Sequence, residues 1–357
     1  MSRKSKLFKV LGLVLIATLL LVAGCGSSPK EADKPAEKPA EQSKKPYFEG
    51  KNLTILVAYS PGGAHDTMTR TLAPYIKEVS GAKNVLVVNK KGGGGVVGMN
   101  ELWKTEPNGE TITLGSAPTH ILSYVAGNDG VEWDPTKSTW LAQVANRPIL
   151  FTVSAKSGMK NAEDMKNLSR PFIFPSQGLD DDFYTATTIL DSLGVEFKVA
   201  SGFESEGEIQ LAQVQGTVDG LFAAYERSHP LVKEGNTVPI MILNDKRVDW
   251  EGYQDIPTVI EVVGDGPGKQ AINDIVTIHS LYQSMWGPPG MSEEATNAWR
   301  EILDKVLTNP EVLGKMKKIG GNPSYTPGAE LQKLIPQVVE SAKVLKPTFD
   351  KATASVK

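Results

Sequence analysis

Between Leu53 and Gly115 three short β-branched, apolar runs alternate with stretches of helical spacing. Leu53–Tyr59 (LTILVAY) reads as a strand, and from Asp66 to Val79 the apolar residues Met68, Leu72, Tyr75, Ile76 and Val79 recur at the spacing of one helix face. Asn84–Asn89 is the next strand, Val96–Lys104 the next helix and Thr111–Gly115 a third strand. Such βα units predict a parallel sheet covered by helices on both faces. The pattern restarts after Trp140. Strands are expected near Ile149–Val153, Pro171–Pro175, Val195–Ala200, Val218–Ala223, Val238–Leu243 and Ile278–Trp286. Helices are expected near Ala162–Asn167, Asp182–Leu193, Ser205–Gln215 and His229–Glu234, and only helices after Trp286: Ser292–Leu307, Glu311–Ile319 and Ala329–Thr348. A chain of 357 residues with 40% apolar side chains can fill two such lobes. The expected division is lobe 1 from residues 47–142 plus 277–357 and lobe 2 from 143–276, with hinges near 139–146 and 274–281. No short-period repeat is present, which excludes solenoids and propellers.

The chain begins with Arg3, Lys4, Lys6 and Lys9, then an uncharged run from Val10 to Gly24. At about fifteen residues that run is short of the roughly 20 needed to span a bilayer, so residues 1–24 read as an export signal. Residues 26–46 hold prolines at 29, 35, 39 and 46 and no aliphatic residue larger than Ala, so residues 25–46 read as a spacer with nothing to bury. The single cysteine, Cys25, excludes a disulfide framework and a Cys-rich metal site. Loss of the leader's four basic residues would take the net charge from -3 to -7. Neither value offers an electrostatic footprint for nucleic acid.

Gly93-Gly94-Gly95-Val96-Val97-Gly98 matches a dinucleotide fingerprint by letter, but the following strand ends in Gly115-Ser116-Ala117-Pro118, without the acid that would hold a ribose. Four consecutive glycines instead let backbone come close to a ligand or to the opposite lobe. No P-loop, nucleophile elbow or zinc motif occurs, and His65, His120, His229 and His279 are scattered singly. No active site assembles from these residues. The segment Ser60-Pro61-Gly62-Gly63-Ala64-His65-Asp66-Thr67 is more informative. It joins the first strand to the first helix at the carboxyl edge of the sheet, where open α/β folds bind ligands. Its amides and the positive end of the helix suit a carboxylate. Asp66 can alternatively serve as a helix cap.

Leu21-Val22-Ala23-Gly24-Cys25 resembles a bacterial lipobox, which implies a lipidated Cys25 holding the protein to the membrane. The body, from about Tyr47 to Lys351, resembles the extracytoplasmic solute receptors of the tripartite tricarboxylate transporter family, also called Bug receptors. The family's Pro-x-x-x-Gly-Gly-x-x-Asp loop is matched around Ala58–Asp66, its glycine element by Asn89–Gly98, and its later landmarks by Pro107–Ile112, Asp255–Thr258, Trp286–Gly290 and Gly320–Pro323. The resemblance implies two Rossmann-like lobes of the periplasmic-binding-protein type, type II-like, with a ligand cleft between them and a C-terminal helical segment packed on lobe 1. It implies capture of a small organic acid by main-chain amides and waters, and delivery to a membrane permease by a monomer that needs no cofactor and makes or breaks no bond. Carried over by position, the ligand-binding residues are Tyr59, Ser60, Gly62, Gly63, Ala64, Asp66, Ser116 and Thr119 on one lobe and Ser176, Gln177 and Gly178 on the other. Of the aromatic residues Tyr59, Phe183, Tyr184 and Tyr225, Tyr59 is the one expected at the ligand.

Two departures bear on the ligand. Leu179-Asp180-Asp181-Asp182 follows the second-lobe loop where small residues are usual. One Asp is expected to cap the next helix and the others to face solvent. The alternative is that Asp180 or Asp181 meets an ammonium group or divalent cation. His65 replaces a usually small residue; if its imidazole touched the ligand, affinity would titrate between about pH 5.5 and 7.5. A sensor presenting its ligand to a membrane kinase and a dinucleotide-binding oxidoreductase are the competing functions.

Overall fold

The computed structural model describes residues 45–354. The leader, Cys25 and nearly all of the spacer lie outside the described residues, and among those described no helix is long and apolar enough to cross a membrane.

The first βα units form as their periodicity dictates. Strands β1 (Asn52–Val57), β2 (Asn84–Asn89) and β3 (Thr111–Ser116) pair in parallel, with β1 in the centre. Strand β4 (Thr139–Asn146) leads out of this group into β5 (Ile149–Ser154), β6 (Phe172–Pro175), β7 (Phe197–Ala200), β8 (Gly220–Ala224) and β9 (Thr237–Leu243). The chain then returns through β10 (Gln283–Gly287) and β11 (Asn322–Pro327). The first sheet has six strands in the order β11-β4-β10-β3-β1-β2.

It is mixed rather than wholly parallel, because β10 runs antiparallel to both β3 and β4, and β11 antiparallel to β4. The apolar run from Ile278 is also divided: its first residues finish the helix Lys269–Ser280, and the strand starts only at Gln283. A strand among the last helices was not expected either. NPSYTP carries two prolines and no apolar run, and it is tolerated because β11 is an edge strand with one neighbour.

The second group comprises an antiparallel sheet, β8-β5-β9, and a parallel pair, β6-β7. Asp219, just before β8, joins them. Its N–H donates to the Ile173 carbonyl at 2.8 Å, and its carboxylate accepts from the Ile173 N–H at 2.7 Å and from both terminal nitrogens of Arg170 at 2.6 and 2.7 Å. One apolar core, including Trp140, Trp286, Phe151 and Phe172, runs from one face of the six-stranded sheet into the second group. The other face is filled by Met68, Leu72, Ile76 and Trp299, whose Nε1 donates to the Gly109 carbonyl at 2.7 Å.

The helices Glu293–Leu307 and Gly328–Ala342 both pack on β4. The last helix, Lys346–Ala354, extends that contact to the second group by lying on the helix Asp181–Ser192, with the Phe349 and Tyr184 rings 4.5 Å apart. The chain passes between the sheets at Arg147-Pro148 and Leu281-Tyr282, side by side, since Gln283 pairs with Ala145.

Asp219→Ala should cost about 2–3 kcal/mol, because it strands the Ile173 N–H and unpairs Arg170. Urea denaturation of the two proteins measures it; a cost below about 0.5 kcal/mol would remove Asp219 as the tie between β6 and β8.

Candidate ligand-binding site

The loop after β1 is organised by Asp66. The helix it leads into, Ala64–Ser80, starts two residues earlier than its apolar spacing suggested, so Asp66 stands in the first turn. Its carboxylate accepts from the Gly62 N–H at 2.8 Å, the Arg70 Nε at 3.0 Å and the Asn89 amide at 3.0 Å. Burial works against this charge, but Arg70, Gly62 and Asn89 outweigh it and hold the carboxyl below its ordinary pKa. Asp66 therefore shapes the loop. The Gly63 N–H closes a turn on the Ser60 carbonyl at 3.3 Å. Both glycine amides are engaged within the protein, and the first-turn N–H groups of Ala64, His65 and Asp66 are the ones that no intrahelical carbonyl takes. Ser60 and Ala64 are exposed, whereas His65 is buried and stacks on the half-buried Tyr59 with ring centres 4.4 Å apart.

The loop after β3 is likewise committed. Ser116 caps the helix Ala117–Ala126 by accepting from the Thr119 N–H at 3.2 Å, and the Ala117 N–H donates to the Tyr282 carbonyl at 3.0 Å. The two hydroxyls of this loop meet a residue of the second group: Thr119 Oγ1 donates to Asp181 Oδ1 at 3.1 Å and Ser116 Oγ to Asp181 Oδ2 at 3.4 Å. A side-chain carboxylate thus sits at the positive end of the helix Ala117–Ala126. The Asp that caps the helix Asp181–Ser192 is Asp180, which accepts from the Phe183 N–H at 2.9 Å. Asp181 opens that helix and faces lobe 1 rather than solvent. Asn128 strengthens the same junction by donating to the Leu179 carbonyl at 3.1 Å.

The glycine loop approaches protein on both sides. A Cβ on Gly95 would lie 3.3 Å from the Tyr59 ring, and one on Gly94 would lie 3.8 Å from the Asp180 Cβ across the junction. Both have positive φ, 109° and 65°. On the second lobe Ser176 closes its turn on itself: its hydroxyl donates to the Gly178 carbonyl at 2.7 Å and accepts from the Gly178 N–H at 3.0 Å. Gln177 and Gly178 are exposed beside it. Phe183 and Tyr184 belong to the core.

A cleft of ≈ 450 Å³ opens where the two sheet systems meet, lined by Ala64, Arg147, Tyr225, Arg227, Trp250 and Tyr282 among others. A smaller cavity of ≈ 50 Å³ adjoins it, sharing Arg147 and Arg227 and adding Ser176, Gln177, Asp180 and Asp182. Ala64, Ser176 and Gln177 are thus the expected residues that line a cavity. Arg147, Arg227 and Trp250 were missed, and the one sequence signal for Arg147 is its place beside the expected hinge. The Arg147 guanidinium donates to the Tyr282 hydroxyl at 2.9 Å and packs over the Tyr282 ring at 4.5 Å. Burial raises the carboxyl of Asp182 to about 8 and that of Asp180 to about 7, and the charge of Asp181 adds to both. No cluster of metal-ligating side chains occurs among the described residues.

Residues 68–347 match the family model described as tripartite tricarboxylate transporter family receptor. The chain belongs to that family of receptors. The curated "UPF0065 protein in tcbD-tcbE intergenic region" of Pseudomonas sp. (strain P51) is 21% identical over 76% of this chain and 79% of its own length. Among solved structures, MatC from Rhodopseudomonas palustris with bound malate superimposes with a TM-score of 0.63 at 18% identity, covering 84% of this receptor and 99% of MatC. R. palustris Rpa4515 with adipate gives 0.65 at 19% identity, covering 84% and 97%. These neighbours share the two-lobed α/β fold of this receptor.

Within the receptor three histidines stay neutral. Burial pushes His65 and His120 down to about 3, with Arg147 adding to the effect at His65, and burial pushes His279 down to about 4. His65 therefore holds no proton between pH 5.5 and 7.5 in the ligand-free receptor. The unfolded chain takes up these protons near pH 6.5, so each buried neutral His contributes stability that is lost as pH falls below that value. The raised Asp180 and Asp182 act oppositely, gaining protons in the fold. Burial is what acts on His120, which is stacked on Trp133 and hydrogen-bonded to Ser138 at 3.0 Å. Relative to the unmodified receptor, His120→Gln should gain about 1.4 kcal/mol per pH unit as pH falls from about 6 to 4. A difference that stays constant with pH in urea titrations would show that His120 is protonated in the fold.

Proposed function

We propose that this receptor captures a small organic acid in the cleft between its lobes and hands it to the membrane permease of a tripartite tricarboxylate-type transporter, while a lipid on Cys25 keeps it at the membrane. The observation that carries this reading is the cleft itself. Its ≈ 450 Å³ falls in the range of small-molecule sites, and both lobes line it, so that closing the lobes would enclose a ligand. Arg147, Arg227 and Lys317 outnumber the single acid, Glu226, on its walls. Tyr225, Trp250 and Tyr282 supply apolar surface for a carbon skeleton. The malate and adipate of the structural neighbours support the same class of solute. The glycine loop, which lends a dinucleotide-binding enzyme its one argument, rests against Tyr59 and Asp180. On this reading the protein performs no bond chemistry.

A thermal-shift screen with malate, adipate, citrate, benzoate, amino acids and NAD tests it. A carboxylate bound with micromolar affinity should stabilise the receptor by about 4 kcal/mol at millimolar concentration. Stabilisation by NAD alone would overturn the reading. Cys25→Ser should release the protein from the membrane fraction of expressing cells, and retention there would exclude the anchor.

A further inference from the structure

We infer that Arg147 takes the ligand's carboxylate, and that Asp181 holds the neighbouring anion position for the protein itself, so that the receptor selects acids with a single carboxylate. This rests on the carboxylate-receptor reading above and names its ligand class more narrowly.

Four of the amides in these loops are spent. Gly62 donates to Asp66, Gly63 to Ser60, Ala117 to Tyr282 and Thr119 to Ser116. The Ser116 and Thr119 hydroxyls are spent on Asp181, whose carboxylate stands where the helix Ala117–Ala126 favours an anion. Arg147 is in the opposite condition. Among the described residues no acid lies within ion-pair distance of it, its one hydrogen-bond partner is the neutral Tyr282, and its Nε is enclosed without a partner. His65 Nε2, also enclosed and unpartnered, and Tyr59 Oη, which Thr119 and Ser116 approach, belong to the adjacent loop. Asp182 and Asp181 offset the burial of Arg147 only from beyond ion-pair distance, and a carboxylate laid against the enclosed guanidinium would add the charge-assisted bonds that they do not make. Arg147 lines both cavities, together with Arg227. Arg227 is already paired with Glu206, and burial and then the charge of Arg147 hold it below its ordinary pKa. An anion between the two relieves that repulsion as well.

A second carboxylate finds no such place. Glu206 lines the smaller cavity and Glu226 the larger, while Asp181 occupies the helix end; Asp180 and Asp182, raised toward protonation, add only part of a charge each. Like charge at these positions opposes a dianion.

Calorimetric titration of the full folded receptor with two matched pairs, hexanoate against adipate and benzoate against terephthalate, reads this directly. In at least one pair the monoacid should bind about tenfold or more tightly than the diacid. Arg147→Gln should weaken that monoacid by about 10- to 100-fold, and Arg147→Lys should recover part of the loss. Urea midpoints without ligand control for damage to the fold. Asp181→Asn should narrow the gap between the monoacid and its diacid. Monoacid binding untouched by Arg147→Gln, or a preference for the diacid in the unmodified receptor, overturns the inference and leaves the carboxylate reading standing. If none of these acids, nor any carboxylate in the thermal-shift screen, binds the unmodified receptor, the carboxylate reading falls and this inference with it.

Discussion

Two stretches of chain that leave and re-enter the six-stranded sheet run next to each other, and most of the architecture follows from that adjacency. β4 carries the chain out through Arg147 and β10 brings it back after Tyr282, and the two strands are hydrogen-bonded neighbours. Because β10 must pair with β4, it enters antiparallel between β4 and β3 and makes the sheet mixed. The same adjacency puts Arg147 against Tyr282 and sets both beside the cleft. A charged side chain at the junction of two lobes thereby becomes part of the wall that a ligand would meet.

The second constraint is the Asp181 carboxylate on Ser116 and Thr119. Hydrogen bonds to a charged group contribute roughly 1.5–3 kcal/mol when shielded from water. Two of them, with Asn128 on the Leu179 carbonyl, hold the segment 179–182 on lobe 1 through protein groups alone. The helix dipole adds to the attraction. The glycine loop serves the same contact from the other direction: a side chain at Gly95 would crowd Tyr59, and Gly94 lies within contact distance of Asp180.

What could be read from the sequence was what local patterning carries. The continuous apolar strands and the amphipathic helix after Ala64 emerge within a residue or two of their expected ends. β11 escaped because a short edge strand rich in proline has no apolar signature. The run from Ile278 misled because a buried helix end and a buried strand look alike in apolar content. At the site, the first loop was legible as a loop but not in its detail: Asp66 takes up the Gly62 amide that a ligand was expected to use. Asp181 and its hydroxyl partners lie 62 and 65 residues apart, a pairing that no spacing rule reveals. Arg147 carries no motif at all, and its role comes wholly from where two distant strands meet.

The last helix has a mechanical meaning. Gly328–Ala342 is seated on β4, and Lys346–Ala354 is seated on the helix Asp181–Ser192, with Phe349 fully buried there and Lys351 bonded to Asp191 at 2.9 Å. Between them lies the single turn Lys343–Leu345. The lobes are therefore spanned by three strands of backbone rather than two, so any change in the width of the cleft has to be accommodated at the Lys343–Leu345 turn as well as at the two crossings beside β4 and β10.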